Sequence, residues 1–307
     1  NMLPFQLREA ARYGPSRMLL RLGLLRAAQR RSFQIADGVI FLSRFAHDTV
    51  LRATGPISGQ STVIPHGVES RFFREPRHQR ESTEFTLEKP MRLLYISIVD
   101  VYKHQWQVAE AVAGLRRAGL PIAIEFVGSG YAPALKRLQR VIRVLDPRGQ
   151  FLKYGGPVEH ADLPSGYQAA DAFVFASSCE NLPNILLEAM ASGLPIACSN
   201  RLPMPEVLGQ AGVYFDPVQP RQIEEAILKL FHGAELRRNL AKAAYERAEH
   251  FSWSVCARDT FRFLADTGEL RAGRIAASIP FQTAASPPEA APRTDAVHLA
   301  RQSHRVG

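Results

Sequence analysis

Between residues 36 and 265 the chain alternates short apolar runs with longer stretches whose apolar residues recur every three or four positions. Runs too short for a helix and bounded by turn residues read as buried strands, whereas a 3.6-residue period reads as helix. The strands predicted in this way lie at 38–42, 62–64, 92–98, 122–127, 151–154, 172–176, 195–198 and 213–215. Amphipathic stretches of helical length, about ten to eighteen residues, separate most of them. Such alternation predicts an α/β fold, a doubly wound Rossmann-like parallel sheet wrapped by helices.

Three segments depart from the alternation. Residues 16–31 interleave Arg17, Arg21, Arg26, Arg30 and Arg31 with leucines at helical spacing. An ordinary surface helix with a solvated basic face fits this pattern, and so does a helix lying on an anionic membrane surface. Residues 74–90 are polar and punctuated by Pro76 and Pro90, which predicts a linker ahead of a main domain over 91–266. Beyond Asp266 the chain turns to Ala, Pro, Ser and Arg without periodicity, so 267–307 is expected to be a disordered tail.

Composition narrows the function classes. A chain of 307 residues with 46% hydrophobic and 22% charged positions can bury a sizeable core and is neither collagen-like nor disordered throughout. No apolar run approaches the ~18 residues of a membrane span. Cys179, Cys198 and Cys256 are far apart in sequence and lack paired histidines, so neither a metal cage nor a disulfide framework is expected, and reduced thiols suit a cytoplasmic protein. The formal charge of +9 calls for an anionic partner. Nucleic acid is not expected in that role, because basic residues are not interleaved with aromatic ones and no reader fold is recognisable.

The stretch with the most chemical content runs from Ser177 through Glu180, Asn181, Leu182, Pro183, Asn184 and Glu188 to Gly193, directly after a predicted strand. Pro183 suits a helix start and Gly193 the position just past its end. Glu180 then lies at the carboxyl end of a strand, where open α/β sheets bind ligands, and the helix amino terminus offers free N–H groups to an anion such as a diphosphate. Taken alone, both glutamates read more simply as solvated surface carboxylates. Gly128-Ser129-Gly130 resembles half of a dinucleotide fingerprint, but Pro133 stands at the third glycine. No Asp-x-Asp pair occurs to hold a divalent ion, and no metal is implied.

The Glu180 to Glu188 stretch resembles the glutamate, seven residues, glutamate motif of retaining glycosyltransferase family 4, whose members have the two-domain GT-B fold. Val63 to Glu69 followed by Phe72-Phe73 is similar to that family's interdomain connector, with His66 where asparagine is usual. Phe126 to Gly130, Tyr167 to Asp171, Pro205-Glu206 and Phe251 to Trp253 recur in the family's order. The resemblance implies a hexosyltransferase-like enzyme that moves a sugar from a nucleotide-diphosphate sugar to a glycan or lipid-linked acceptor, retaining configuration and needing no resident cofactor. It also implies that residues 1–73 are a remnant of the acceptor-binding half with its connector, more of that half lying upstream of Asn1. The final helix should cross back onto that remnant.

Residue by residue, Glu188 would hold the donor ribose, Glu180 the transferring sugar, and Lys103 the diphosphate together with the backbone of Asn181, Leu182, Pro183 and Asn184. Gly156 and Pro157 would border the base. Ile98 stands where the family carries an arginine, leaving Lys103 as the phosphate cation of its loop. Glu188, as an exposed helix residue, is expected to accept glutamine with little effect on folding.

Overall fold

The computed structural model describes residues 2–278. An amino-terminal piece comes first. The turns Leu3–Phe5 and Ala11–Tyr13 flank the short α1 (Leu7–Ala10), followed by α2 (Arg17–Ile35), β1 (Gly38–Phe41), α3 (Arg44–Thr54) and β2 (Gln60–Val63). Strands β1 and β2 pair in parallel as a two-stranded sheet.

The larger unit alternates β3 (Met91–Ile96), α4 (Gln105–Arg117), β4 (Ile122–Val127), α5 (Ala132–Leu145), β5 (Leu152–Gly156), α6 (Leu163–Ala169), β6 (Ala172–Phe175), α7 (Asn184–Ala191), β7 (Ile196–Ser199), α8 (Met204–Leu208) and β8 (Val213–Phe215). It closes with α9 (Pro220–His232), α10 (Ala234–Ala248) and α11 (Trp253–Ser278). The six strands form one parallel sheet in the order β5-β4-β3-β6-β7-β8. All eight predicted strands are present.

Every residue of the central strands β6 and β7 is buried, as expected where helices cover both faces of a parallel sheet. The edge strand β5 buries only Leu152 fully. Strand order runs outward from β3 in one direction and from β6 in the other, so the connections leaving these two neighbours go to opposite faces. A crevice opens between them at their carboxyl ends.

The amino-terminal piece is fastened to this unit by polar contacts. The Glu206 carboxylate accepts the backbone N–H groups of Arg44 (2.7 Å) and Phe45 (2.9 Å) at the start of α3. Ser43 caps the same helix by accepting the Ala46 N–H at 3.1 Å, and its hydroxyl donates to the Asn181 carbonyl at 2.7 Å. Helix α11 does cross back: a Cβ at Gly38 would stand 2.9 Å from Thr267 Oγ1 and 3.0 Å from the Phe263 ring, so only glycine admits this approach. Arg271 pairs with Asp37 at 3.0 Å beside it.

Two segments differ from the sequence expectation. Helix α11 continues past Asp266 to Ser278, because its contacts with β1 extend the helix into sequence that lacks periodicity of its own. The rest of the expected tail, 279–307, lies outside the described residues. Residues 74–90 contain little regular structure, yet Gln79 and Phe85 are buried and Arg77 and Arg80 both pair with Asp171.

Among the described residues no helix is long and apolar enough to cross a membrane. Helix α2 buries Leu22 alone, while Leu20 and Leu24, one turn apart on the same face, are 68% and 66% exposed. On α11, Phe261 is 72% exposed. Apolar faces of this kind are normally covered, so the chain is expected to self-associate. Sedimentation velocity should show a concentration-dependent oligomer, and Leu20→Glu with Leu24→Glu should shift it to monomer; a parent chain that is already monomeric would refute the expectation.

Candidate functional site

The loops leaving β3 and β6 meet at the crevice, and one side chain holds them together. The buried Tyr95 hydroxyl, at the end of β3, donates to the Lys103 carbonyl in the first loop and accepts the Ala176 N–H at 3.3 Å in the second. Burial pushes this phenol well above its ordinary range, so it stays protonated and able to donate. Gln105 fixes the first loop further through Ser97 Oγ (3.0 Å) and the Ile98 carbonyl (2.9 Å).

Lys103 and Glu180 come together here. The Lys103 ammonium donates to Glu180 Oε1 and lies 5.2 Å from the ring centroids of both Tyr102 and Phe175. Both charges are largely removed from water, which is tolerable only because each has the other. The adjoining cleft, about 360 Å³, is lined by Ile98, Lys103, Gly128, Pro157 and Ile185. Gly128 has φ +135°, and a Cβ there would fall 2.1 Å from the Ser97 carbonyl, so the turn after β4 can approach the first loop only as glycine.

Helix α7 begins at Asn184 with Pro183 as its N-cap residue, one position later than the sequence suggests, and ends before Gly193 at φ +63°. The backbone N–H groups of Asn184 and Ile185 have no acceptor among the described residues, and Ile185 lines the cleft. The partial positive charge of a helix start therefore lies beside the Lys103 ammonium. Leu182 and Pro183 are buried beneath the loop, and the Asn181 Oδ1 has no partner. Gly156 (φ +77°) accepts the Gly128 N–H at 2.8 Å through its carbonyl, beside Pro157 at the cleft rim.

Glu188 sits in an adjacent hollow of about 210 Å³ with Glu69, His160, Asn184 and Trp253. It is buried, not exposed as expected from sequence: α7 packs inside the domain, and Tyr167 on α6 reaches across to donate to Glu188 Oε2 at 3.0 Å. His160 Nε2 lies 3.2 Å from Oε1. Desolvation raises the Glu188 carboxyl above the usual range, opposed by the His160 and Tyr167 hydrogen bonds.

Several contributors were not assigned a role from sequence. His104, wholly buried and in the left-handed region at φ +53°, places Nε2 2.9 Å from Ser178 Oγ. Desolvation, then the Arg12 charge, lowers it to about 3, so its ring is neutral. Ser178 also donates to Glu9 at 2.5 Å, and Tyr13 donates to Asp100 at 2.9 Å, both from the amino-terminal piece. These contacts span the whole chain and carry no local sequence signal. Among the described residues no group of three His, Cys, Asp or Glu forms that could hold a metal ion.

A family described as glycosyl transferases group 1 matches residues 78–247. O-antigen chain mannosyltransferase B of Escherichia coli is 36% identical over 113 residues, 37% of this chain and 30% of that protein. Spore coat protein SA of Bacillus subtilis is 38% identical over 239 residues, 72% of this chain and 63% of that protein. Sulfoquinovosyl transferase of Arabidopsis thaliana is 27% identical over 71% of this chain and 42% of its own length. The chain thus spans less than two thirds of each of these relatives. Among solved structures, sucrose-phosphate synthase of Thermosynechococcus elongatus superposes with a TM-score of 0.69 at 22% identity, covering 88% of this chain and 66% of that one. An Anabaena protein in complex with UDP and glucose gives 0.68 at 18% identity, covering 79% and 66%.

The buried Glu188 generates a prediction with two opposed parts. A carboxyl whose folded pKa is raised makes stability fall as pH climbs from the unfolded value, about 4.3, through the folded one. Glu188→Gln removes that dependence and should leave the chain as stable as the parent or more so at pH 8, with any gain vanishing toward pH 4. A glutamine keeps the size but loses the charge and one acceptor oxygen, so affinity for a ligand diol should fall by roughly 1 to 3 kcal/mol. Thermal melts across pH with parallel ligand titrations check both; a variant less stable at pH 8 than at pH 4, relative to parent, contradicts the first part.

Proposed function

The chain belongs to the glycosyl transferases group 1 family, and we propose that it transfers a sugar from a nucleotide-diphosphate sugar to a glycan or lipid-linked acceptor with retention of configuration. The observation that supports this reading is the meeting of Lys103 and Glu180 at the strand-order reversal, beside the unpartnered N–H groups of α7. Cleavage of the sugar–oxygen bond leaves its electron pair on the departing diphosphate, adding one negative charge to the two it already carries. A fixed ammonium and oriented N–H groups in a site shielded from water stabilise that charge without reorganising.

In this reading Lys103 exchanges Glu180 for the diphosphate when donor binds, and Glu180 turns to hydroxyls of the transferring sugar. Glu188 takes the ribose diol in place of His160, and Gly156 with Pro157 borders the base through backbone groups. Backbone amides of the segment Asn181, Leu182, Pro183 (which supplies no N–H) and Asn184 complete the diphosphate cradle. No protein nucleophile is required. The relative crystallised with UDP and glucose makes UDP the first nucleotide to test.

In this reading residues of the amino-terminal piece contribute to gripping the acceptor. The reading places catalysis in the cytoplasm. Arg17, Arg21 and Arg30, exposed on α2, are the surface for a peripheral contact with anionic lipid.

One observation favours a second reading, in which the chain binds nucleotide sugar without turnover. Ile98 lines the cleft where the family carries an arginine, removing a bidentate phosphate partner. Calorimetry with a panel of nucleoside diphosphates and their sugars, followed by acceptor-dependent turnover, separates the two.

Binding titrations test the site itself. Lys103→Ala should weaken a nucleoside diphosphate by roughly 10- to 150-fold, the equivalent of about 1.5 to 3 kcal/mol. Glu180→Gln should spare the free diphosphate and weaken the sugar-bearing donor, while Ile98→Arg should tighten both by about tenfold. If all three variants bind both ligands as the parent does, this cleft is not the donor site.

A further inference from the structure

The donor cleft does not account for the surplus positive charge of the chain. A second basic hollow, about 490 Å³, lies at the opposite, amino-terminal end of the sheet, where β3 begins and β6 is about to begin. We propose that this hollow, built by Arg77, Arg80, Lys89 and Arg92 around Asp171, is a second ligand site that takes a phosphate group.

Positive charge and hydrogen-bond donors are both in excess at this hollow. Asp171 accepts the Arg92 backbone N–H at 2.8 Å and lies 3.3 Å from Arg77, 3.1 Å from Arg80 and 3.9 Å from the Arg92 side chain. A single carboxylate thus serves three guanidinium groups. Glu88 is the other carboxylate lining the hollow, and Lys89 adds a fourth cation, so four positive charges face two negative ones. An ion-pair network that served only to hold the fold would be closer to neutral. Arg77 spends further donors on the Gln168 and Ala170 carbonyls. Among the described residues, Arg80 Nε and Nη1, both terminal nitrogens of Arg92 and the Lys89 ammonium have no hydrogen-bond acceptor.

Of these groups, the Arg80 guanidinium is held in place. The Arg80 guanidinium lies 4.3 Å from the centroid of the buried Phe85 ring, and the buried Arg237 donates to the Arg80 carbonyl. A forked, planar donor fixed in a concave basic surface is the arrangement that recognises phosphate oxygens. The hollow is larger than a lone phosphate and has room for a phosphorylated small molecule. A phospholipid headgroup presents the same chemistry.

The test uses the whole chain with inorganic pyrophosphate in calorimetry and with phosphatidylglycerol vesicles in co-sedimentation. Lys89→Ala with Arg92→Ala, both at exposed positions, keeps Arg80 and its packing intact; a charge-matched control replaces the exposed Lys136 and Arg140 of α5. Pyrophosphate binding that persists in Lys103→Ala and falls about tenfold or more in Lys89→Ala/Arg92→Ala, but not in the control, supports a site for a soluble phosphate compound. The same selective loss with vesicles alone assigns the headgroup. Loss of all pyrophosphate binding in Lys103→Ala, with vesicle binding equally affected by the Lys89/Arg92 and control pairs, overturns the proposal. Because Lys103 belongs only to the other cleft, failure of the donor reading would leave this result interpretable.

Discussion

The arrangement of the molecule depends on the reversal of strand order between β3 and β6. In a parallel sheet each connection must return over one face, and two adjacent strands whose connections leave in opposite directions cannot cover the gap between their own ends. The loops at that gap therefore remain unroofed by helices and free to carry chemistry. Tyr95 then joins them, with its single hydroxyl as donor to one loop and acceptor from the other. Lys103 and Glu180, far apart in sequence, become neighbours because their strands are neighbours.

That placement is costly to the fold, which indicates what maintains it. Lys103, Glu180 and Glu188 are ionisable groups withdrawn from water, and each needs a specific partner to be tolerated there. Apolar residues of similar volume would pack α7 and its loop at least as well. His104, held at positive φ with its Nδ1 unpartnered, adds local strain beside the same loop. Unfavourable features collected around one crevice are what a binding site produces and what a purely structural loop would avoid.

The strands were legible because periodicity and turn residues report local burial, and parallel strands covered on both faces become unbroken apolar runs such as Ala172–Phe175. Glu180 and Glu188 stood out only through resemblance to a family motif, since their placement on a loop and helix alone suits solvated carboxylates. Their environments were not legible. Nothing local to Glu188 shows that Tyr167, 21 residues earlier, donates to it, so its burial was misjudged. The end of α11 failed for the same reason: Arg271 finds Asp37 across 234 positions, and no window along the sequence contains both.

The contacts of longest range also relate the amino-terminal piece to the chemistry. Tyr13 holds Asp100 in the loop of Lys103, while Glu9 and Ser43 hold Ser178 and Asn181 in the loop of Glu180. Each of the two loops is thus bonded to residues outside the six-stranded unit. Glu206 completes the connection in the other direction, its carboxylate placed where the positive end of α3 stabilises it. A shift of the amino-terminal piece would pull on both loops, and a ligand that separates Lys103 from Glu180 would push back along the same bonds. Any change that separates Lys103 from Glu180 is accordingly resisted by the amino-terminal piece, because both loops are anchored in it.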